Sequence, residues 1–328
     1  MTEQWEEWSG AVRTDLAVEA RNYVQHRTNR SIPGVYSTEE QLGHTLVTRV
    51  RIVTPQGSSI MGKPMGNYIT IESPALIQRN RQLQDEVARV FVDELAALLP
   101  PEAGSFFIVG LGNWNATPDA LGPRVVDQLL ITRHLGDYVP QEVRNRLRSV
   151  SALAPGVLGL TGIETGEIIR GIVDRTRPDV VMAIDALASQ KVDRLMTTIQ
   201  ISDTGIHPGS GVGNRRVGLT HETLGIPVLA IGIPTVVHAL TIAHDAIELL
   251  MEQLKEQAGF TAMVNEMGTD QLSHLFDAVL RPEMGELMVT PKEIDVHIME
   301  MARIVAEGLN AALHQGITAD NLASYLMK

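Results

Sequence analysis

Two aspartates in this chain stand directly behind apolar stretches, and each is followed by the same two residues. Phe106-Phe107-Ile108-Val109 runs into Gly110-Leu111-Gly112-Asn113 and then Thr117-Pro118-Asp119-Ala120-Leu121-Gly122-Pro123, while Val180 to Ile184 runs straight into Asp185-Ala186-Leu187-Ala188. Two carboxyls brought within a few ångströms cannot both ionise easily, so one keeps its proton while the other can accept one. That division suits the acid–base hydrolysis of a peptide bond. Taken singly, each aspartate has a plainer reading, Asp119 as a helix N-cap and Asp185 as a strand-end turn residue. The Gly-Leu-Gly turn also resembles the opening of a dinucleotide-binding fingerprint, which leaves a nucleotide-binding oxidoreductase as an alternative. Pro118 follows at once, however, and no acidic residue closes a second strand about twenty positions on.

The longest glycine-rich polar stretch is Ser202 to Arg216, containing His207, Gly209 and Gly211. Its glycines suit either a loop folded over a substrate or a plain surface loop. It lacks the Gly-Lys-Ser/Thr ending of a phosphate-binding loop, and no H-E-x-x-H sequence occurs. His207 is the histidine best placed to join the aspartates, with Gly209 and Gly211 as auxiliary backbone. His238, His244, His297 and His314 fall in helical patterns and read as solvated or packed. Asp119, Asp185 and His207 together have the composition of a divalent-metal site, although nothing in the sequence requires a cofactor.

The elements that would position these groups are apolar strands alternating with helices, the pattern of an α/β fold with a central, mainly parallel sheet flanked by helices. Strands are expected at Phe106–Gly110, Asp179–Ile184 and Val228–Gly232, with Thr197–Ile201 as an edge or hairpin strand. Helices are expected near 120–133, 163–176 and 236–257. Ligands of such sheets bind at the carboxyl ends of the strands, so the two aspartates would face one crevice. Ahead of this part, residues 36–72 hold β-branched runs separated by turn compositions and read as an antiparallel hairpin or small sheet. Ser73-Pro74 opens a helix that Pro100-Pro101 ends. Thr161 with Glu164 and Thr290 with Glu293 have capping-box spacing, with Pro291 at the first helical position. The C-terminal part reads as helical, with a less regular insertion at 257–284.

Composition narrows the classes. The 328 residues carry 27 Lys and Arg against 39 Asp and Glu, a formal net charge of −12 that argues against direct nucleic-acid binding. No run of about 18 apolar residues is present to cross a membrane. The absence of cysteine excludes disulfides, thiolate metal sites and a cysteine nucleophile. The acidic start around Trp5 and Trp8 does not read as a signal peptide, so a cytoplasmic location is the default expectation.

Several long strings together resemble the germination protease family of endospore-forming bacteria: Val12 to Ala20, Gly110 to Asn113, Thr117 to Pro123, Leu130 to His134, Thr161 to Thr165, Ala183 to Ala188, Ile201 to Asn214, Thr223 to Val237 and Met288 to Glu293. The resemblance spans nearly the whole chain and is weakest before Ser9 and over 257–284. It implies an endopeptidase of atypical aspartic type with Asp119 and Asp185 as the catalytic pair, acting on small acid-soluble spore proteins in the forespore and spore core. It also implies a homotetramer and a zymogen that removes its own N-terminal segment. Asp15-Leu16-Ala17-Val18-Glu19 is similar to the pattern cut in the spore proteins, so residues 1–15 would be a propeptide, 16–328 a single protease domain, and Asp15–Leu16 the processed bond. The family's distant similarity to hydrogenase maturation endopeptidases keeps metal assistance open, and a non-catalytic binder of spore proteins is a further alternative.

Overall fold

A computed structural model describes residues 14–28, 30–207, 217–255, 284, 287–314 and 316. Nine strands form one mixed sheet: β1 (Val35–Leu42), β2 (Thr45–Ile52), β3 (Gly66–Glu72), β4 (Ser105–Gly110), β5 (Ser149–Leu153), β6 (Val180–Ser189), β7 (Thr198–Ser202), β8 (Val228–His238) and β9 (Met288–Val289). Their order is β1-β2-β3-β7-β8-β6-β4-β5, with β9 added to the end of β8. The four strands from β8 to β5 are parallel, and every pairing from β1 through β7 to β8 is antiparallel. The architecture is α/β, as expected. The early β-rich region is not a separate small sheet, because β3 pairs with β7 and extends the main one.

The helices are α1 (Ala17–Thr28), α2 (Pro55–Met61), α3 (Arg81–Leu98), α4 (Leu121–Asp127), α5 (Thr165–Thr176), α6 (Ala239–Lys255) and α7 (Ile294–Leu313), besides single turns. One face of the sheet, with Ile108, Met182, Ile184 and Ile231, packs against α3, α4 and α7 through Phe91, Leu95, Leu121, Met301 and Val305. The other, with Phe107, Val109, Val181 and Ala183, packs against Ile169 and Val173 of α5. Parallel strands buried on both faces explain the unbroken apolar runs in β4, β6 and β8.

Several elements differ from the sequence reading. β7 is interior, between β3 and β8, not an edge. Pro55-Gln56-Gly57 is the first turn of α2, whose N-cap Thr54 accepts from the Gly57 amide at 3.0 Å. Val236 to His238 continue β8, with Val236 and Val237 paired to Ala188 and Ser189 of β6 and with β9 paired to Val237 and His238. Ser73-Pro74 opens only a 3₁₀ turn, and the long helix starts behind Asn80, whose side chain accepts from the Leu83 amide. Neither expected capping box forms: the Thr161 hydroxyl is spent on Ile163, and that of Thr290 donates to the Thr235 carbonyl at 2.8 Å. Thr220 and Thr223 make a capping box instead. Of the stretch 257–284, all but Met284 lies outside the described residues.

Candidate active site

After β4 the chain crosses to β5 on one side, then returns to β6 on the other side of β4. The crevice beyond β4 and β6 is therefore a point where the strand order reverses, the position at which open α/β sheets hold ligands. Asp119 arrives there from β4, on a 3₁₀ turn of Thr117–Asp119, and Asp185 from within β6.

The glycines around Asp119 are needed for close backbone approach. A Cβ on Gly110 would sit 2.3 Å from the Gly122 carbonyl oxygen, and one on Gly122 would sit 2.6 Å from that of Ile184. Gly112, at φ +110°, lies so close to the Asp119 backbone that a Cβ would meet its carbonyl oxygen at 2.0 Å. That oxygen also accepts from the Asn113 amide at 3.0 Å. The Gly-Leu-Gly turn thus serves to bring the Asp119 loop and α4 down onto β6.

Asp185 is buried, with Oδ1 accepting from the Ala186 amide at 2.9 Å. Loss of solvent pushes its carboxyl well above the usual range, the charges of Asp119 and then Asp15 push it further, and the Ala186 amide opposes them. Asp185 therefore holds a proton more readily than an ordinary aspartate, within the field of two other carboxyl groups.

The third of these groups belongs to the N-terminal stretch, which lies across the carboxyl end of β6. The Asp15 amide donates to the Ala188 carbonyl at 2.9 Å, and the Ala188 amide donates back to Asp15 Oδ2 at 2.9 Å. Leu16 is fully buried against Val18, Leu187 and Ile206. Ala17 is fully buried too, and its amide donates to Gln200 Oε1 at 2.7 Å. Glu19 accepts from the amides of Gln190 and Lys191 at 2.7 and 3.0 Å, and Arg194 Nη1 stands 3.1 Å from its Oε1. Between Asp15 and Leu16, the Asp15 carbonyl oxygen accepts from Lys63 Nζ at 2.9 Å and from Gln200 Nε2 at 3.1 Å. Each of Asp15, Leu16, Ala17 and Glu19 thus has its own set of contacts.

Asp119 and Asp15 both act on the charge of Asp185, and Leu16 packs beside Leu187 of β6, whereas His207 is exposed with its ring against Gly218. Gly209 and Gly211 lie outside the described residues, as do residues 1–13 of the expected propeptide. Among the described residues no three of His, Asp and Glu form a metal-ligand group, so the donor set of Asp119, Asp185 and His207 is not assembled. No helix of the described residues is long and apolar enough to cross a membrane.

Sequence reasoning missed Lys63, Gln200 and Arg194. Lys63 sat in a turn composition between strands. Gln200 carried the one available signal, an amide set between Ile199 and Ile201 at the centre of a short strand.

The family model for germination proteases matches residues 11–259 and 251–326. The chain is 50% identical over 320 residues to the germination protease of Caldanaerobacter subterraneus subsp. tengcongensis, covering 96% of this chain and 98% of that one. It is 46% identical to that of Clostridium perfringens, covering 96% and 99%, and 44% identical to that of Bacillus velezensis, covering 96% of each. Among solved structures it is similar to a [NiFe] hydrogenase maturation protease, HycI, from Thermococcus kodakarensis KOD1. That match has 18% identity and a TM-score of 0.33, over 67% of this chain and 98% of that one.

Proposed function

The chain belongs to the germination protease family and is thereby a peptidase of spore germination, and we propose that it is an endopeptidase made as a zymogen that cuts its own Asp15–Leu16 bond. Its substrates are then small acid-soluble spore proteins carrying the same acid, apolar, Ala, any, Glu pattern, met in the forespore and spore core. The active assembly is a homotetramer.

The observation that carries this reading is that Asp185, buried and with its proton affinity raised, lies in the field of both Asp119 and Asp15. One carboxyl of the Asp119–Asp185 pair gives a proton while the other takes one. Asp119, on its partly exposed turn, takes the proton of a water molecule as the water oxygen adds to the Asp15 carbonyl carbon. Asp185 gives its proton to the Leu16 nitrogen as the C–N bond breaks, leaving a new carboxyl on Asp15 and a new amine on Leu16. His207 acts as an auxiliary residue at the mouth of the glycine-rich stretch.

The contacts around Leu16, Ala17 and Glu19 support the substrate class, because they distinguish the apolar, small and acidic positions of the pattern. For a spore protein to use the same contacts, Leu16 to Glu19 must withdraw from them after the cut. Falling pH favours processing by keeping Asp185 protonated.

The test is N-terminal sequencing of wild type and Asp185→Asn after mild acidification. A new terminus at Leu16 in wild type alone supports self-processing, whereas the same terminus in the variant assigns the cut to another protease.

A further inference from the structure

Lys63 lies in the loop between α2 and β3, a segment the aspartate pair does not involve. Its Nζ donates to the carbonyl oxygens of Thr14 at 3.1 Å and Asp15 at 2.9 Å, two consecutive peptide groups. The loop is fixed at both ends of the residue: the Lys63 amide donates to the Ser58 carbonyl at 3.2 Å, and the Ser58 hydroxyl donates to the Lys63 carbonyl at 2.7 Å. Burial draws the Lys63 amine below its usual value, while the charges of Asp15 and Glu19 oppose that. The amine is thus held away from water and aimed at main-chain oxygens, an unusual use of a lysine.

Gln200 joins it from the opposite side. In the sheet register Gln200 pairs with Gly232, and Gly232 pairs with Asp185, so the three occupy one row across β7, β8 and β6. Directly paired residues project to the same face, and the space over Gly232 is taken by the Leu187 side chain, which a Cβ there would meet at 2.3 Å and which also packs against Leu16. Gln200 uses both ends of its amide: Nε2 donates to the Asp15 carbonyl oxygen at 3.1 Å, and Oε1 accepts from the Ala17 amide at 2.7 Å. Only one orientation of the amide satisfies both bonds. The peptide between Asp15 and Leu16 is thereby clamped on the row that carries Asp185.

We infer that Lys63, assisted by Gln200, is a catalytic residue of this bond's hydrolysis, its ammonium and the Gln200 amide taking up the negative charge that develops on the Asp15 carbonyl oxygen. The inference rests on the self-processing reading above. As the water oxygen bonds to the carbonyl carbon, the π pair of the C=O bond moves onto the oxygen. Two donors already 2.9 and 3.1 Å away meet that charge without reorganisation, in a partly buried site. When the C–N bond breaks, the pair returns to re-form C=O and the Leu16 nitrogen leaves with the proton from Asp185. Neither donor loses a proton at any stage. The same donors would serve any substrate carbonyl that takes the position of Asp15.

Two readouts test this separately from the self-processing reading. Asp15–Leu16 is the only Asp-Leu pair in the chain. Labelling Asp at the carbonyl carbon and Leu at nitrogen therefore gives one carbonyl resonance, that of the bond in question. In the Asp185→Asn chain, which holds the bond uncut, Lys63→Met should move that resonance upfield as polarisation is lost. In the otherwise wild-type chain, Lys63→Met should slow the appearance of the Leu16 terminus by about a hundredfold or more, the scale of removing one oxyanion donor. Because the chain has no cysteine, Lys63→Cys introduces a unique thiol. Its aminoethylation under denaturing conditions, followed by refolding, should restore cleavage that the unmodified Lys63→Cys chain lacks. An unmoved carbonyl resonance, or processing by Lys63→Met at the wild-type rate, overturns the role of Lys63 alone. A wild-type chain never cut at this bond overturns the self-processing reading and this role with it.

Discussion

The buried carboxyl of Asp185 carries a raised proton affinity that owes part of its rise to Asp119, although the two residues are 66 positions apart and come from different strands. The link depends on Gly110, Gly112 and Gly122, which let the backbone around Asp119 approach β6. Proton storage and chain geometry are thus one feature of the fold.

The first expectation concerns pH. The folded-state pKa of Asp185 lies above its unfolded value, so its contribution to stability is fully present below the unfolded pKa and is lost as pH rises through the folded one. Asp185→Asn should therefore stabilise the chain most at neutral and alkaline pH, with the gain in Tm shrinking as pH falls towards 4, near the usual aspartate value. Thermal unfolding of both chains from acid to neutral pH reads this directly. A gain that grows on acidification contradicts the sign. Asp119→Asn should lower the midpoint of Asp185, observed by carboxyl-carbon NMR.

A second expectation concerns the glycines. Gly110→Ala would place a methyl group 2.3 Å from the Gly122 carbonyl oxygen, a contact that only backbone movement relieves. A loss of about 1–3 kcal/mol or more by denaturant unfolding is expected. The midpoint of Asp185 should fall as Asp119 is pushed away, and an unchanged midpoint would detach the glycine turn from the site.

The third concerns Glu19, whose side chain is 1% exposed and is held by two amides and by Arg194. Removing one partner of a buried ion pair strands the other, so Arg194→Ala should cost about 3–5 kcal/mol. In the proposed function the same change slows cleavage at Asp15–Leu16, while Arg194→Lys, which keeps the charge, slows it less. Equal rates for wild type and Arg194→Ala would remove Glu19 from recognition.

A fourth concerns His207 and metal. As an auxiliary group, His207 should cost roughly a hundredfold in turnover when changed to Ala, the lower end of the effect of a positioned acid or base. Chelation followed by dialysis should leave turnover intact, because no step of the proposed mechanism calls on a metal ion. Inactivation restored by adding back a divalent ion would contradict that mechanism, and full activity of His207→Ala would return the ring to a packing role against Gly218.

Much of this arrangement was legible in the residues. Three of the four parallel strands, β4, β6 and β8, announced themselves by unbroken apolar runs, and Asp119 and Asp185 by their positions behind them, whereas β5 was missed because its apolar residues alternate with Ser149 and Ser151. The antiparallel half was harder to read: β-branched runs between turn compositions marked residues 36–72 as a hairpin or small sheet, but their union with the main sheet depends on β7, whose short Thr-Thr-Ile-Gln-Ile run reads equally well as an edge. The continuation of β8 through Val236 to His238 is set by partners distant in sequence, Ala188 and Ser189 of β6 and the two residues of β9, which local propensity cannot register. The Thr290 cap failed because a distant carbonyl, that of Thr235, took its hydroxyl. Lys63 was unreadable for the same reason, since a lysine in a turn gives no sign that its amine will be buried against the N-terminal stretch.

The most direct test of the central claim is cleavage by defined variants, all beginning at Leu16. Wild type, Asp119→Asn and Asp185→Asn are each incubated with a small acid-soluble spore protein, and the products are weighed by mass spectrometry. The account predicts that wild type cuts between the acidic and apolar residues of the pattern, and that neither variant cuts while both retain wild-type circular dichroism. Near-normal cleavage at that bond by either folded variant would contradict an aspartate pair as the catalytic machinery.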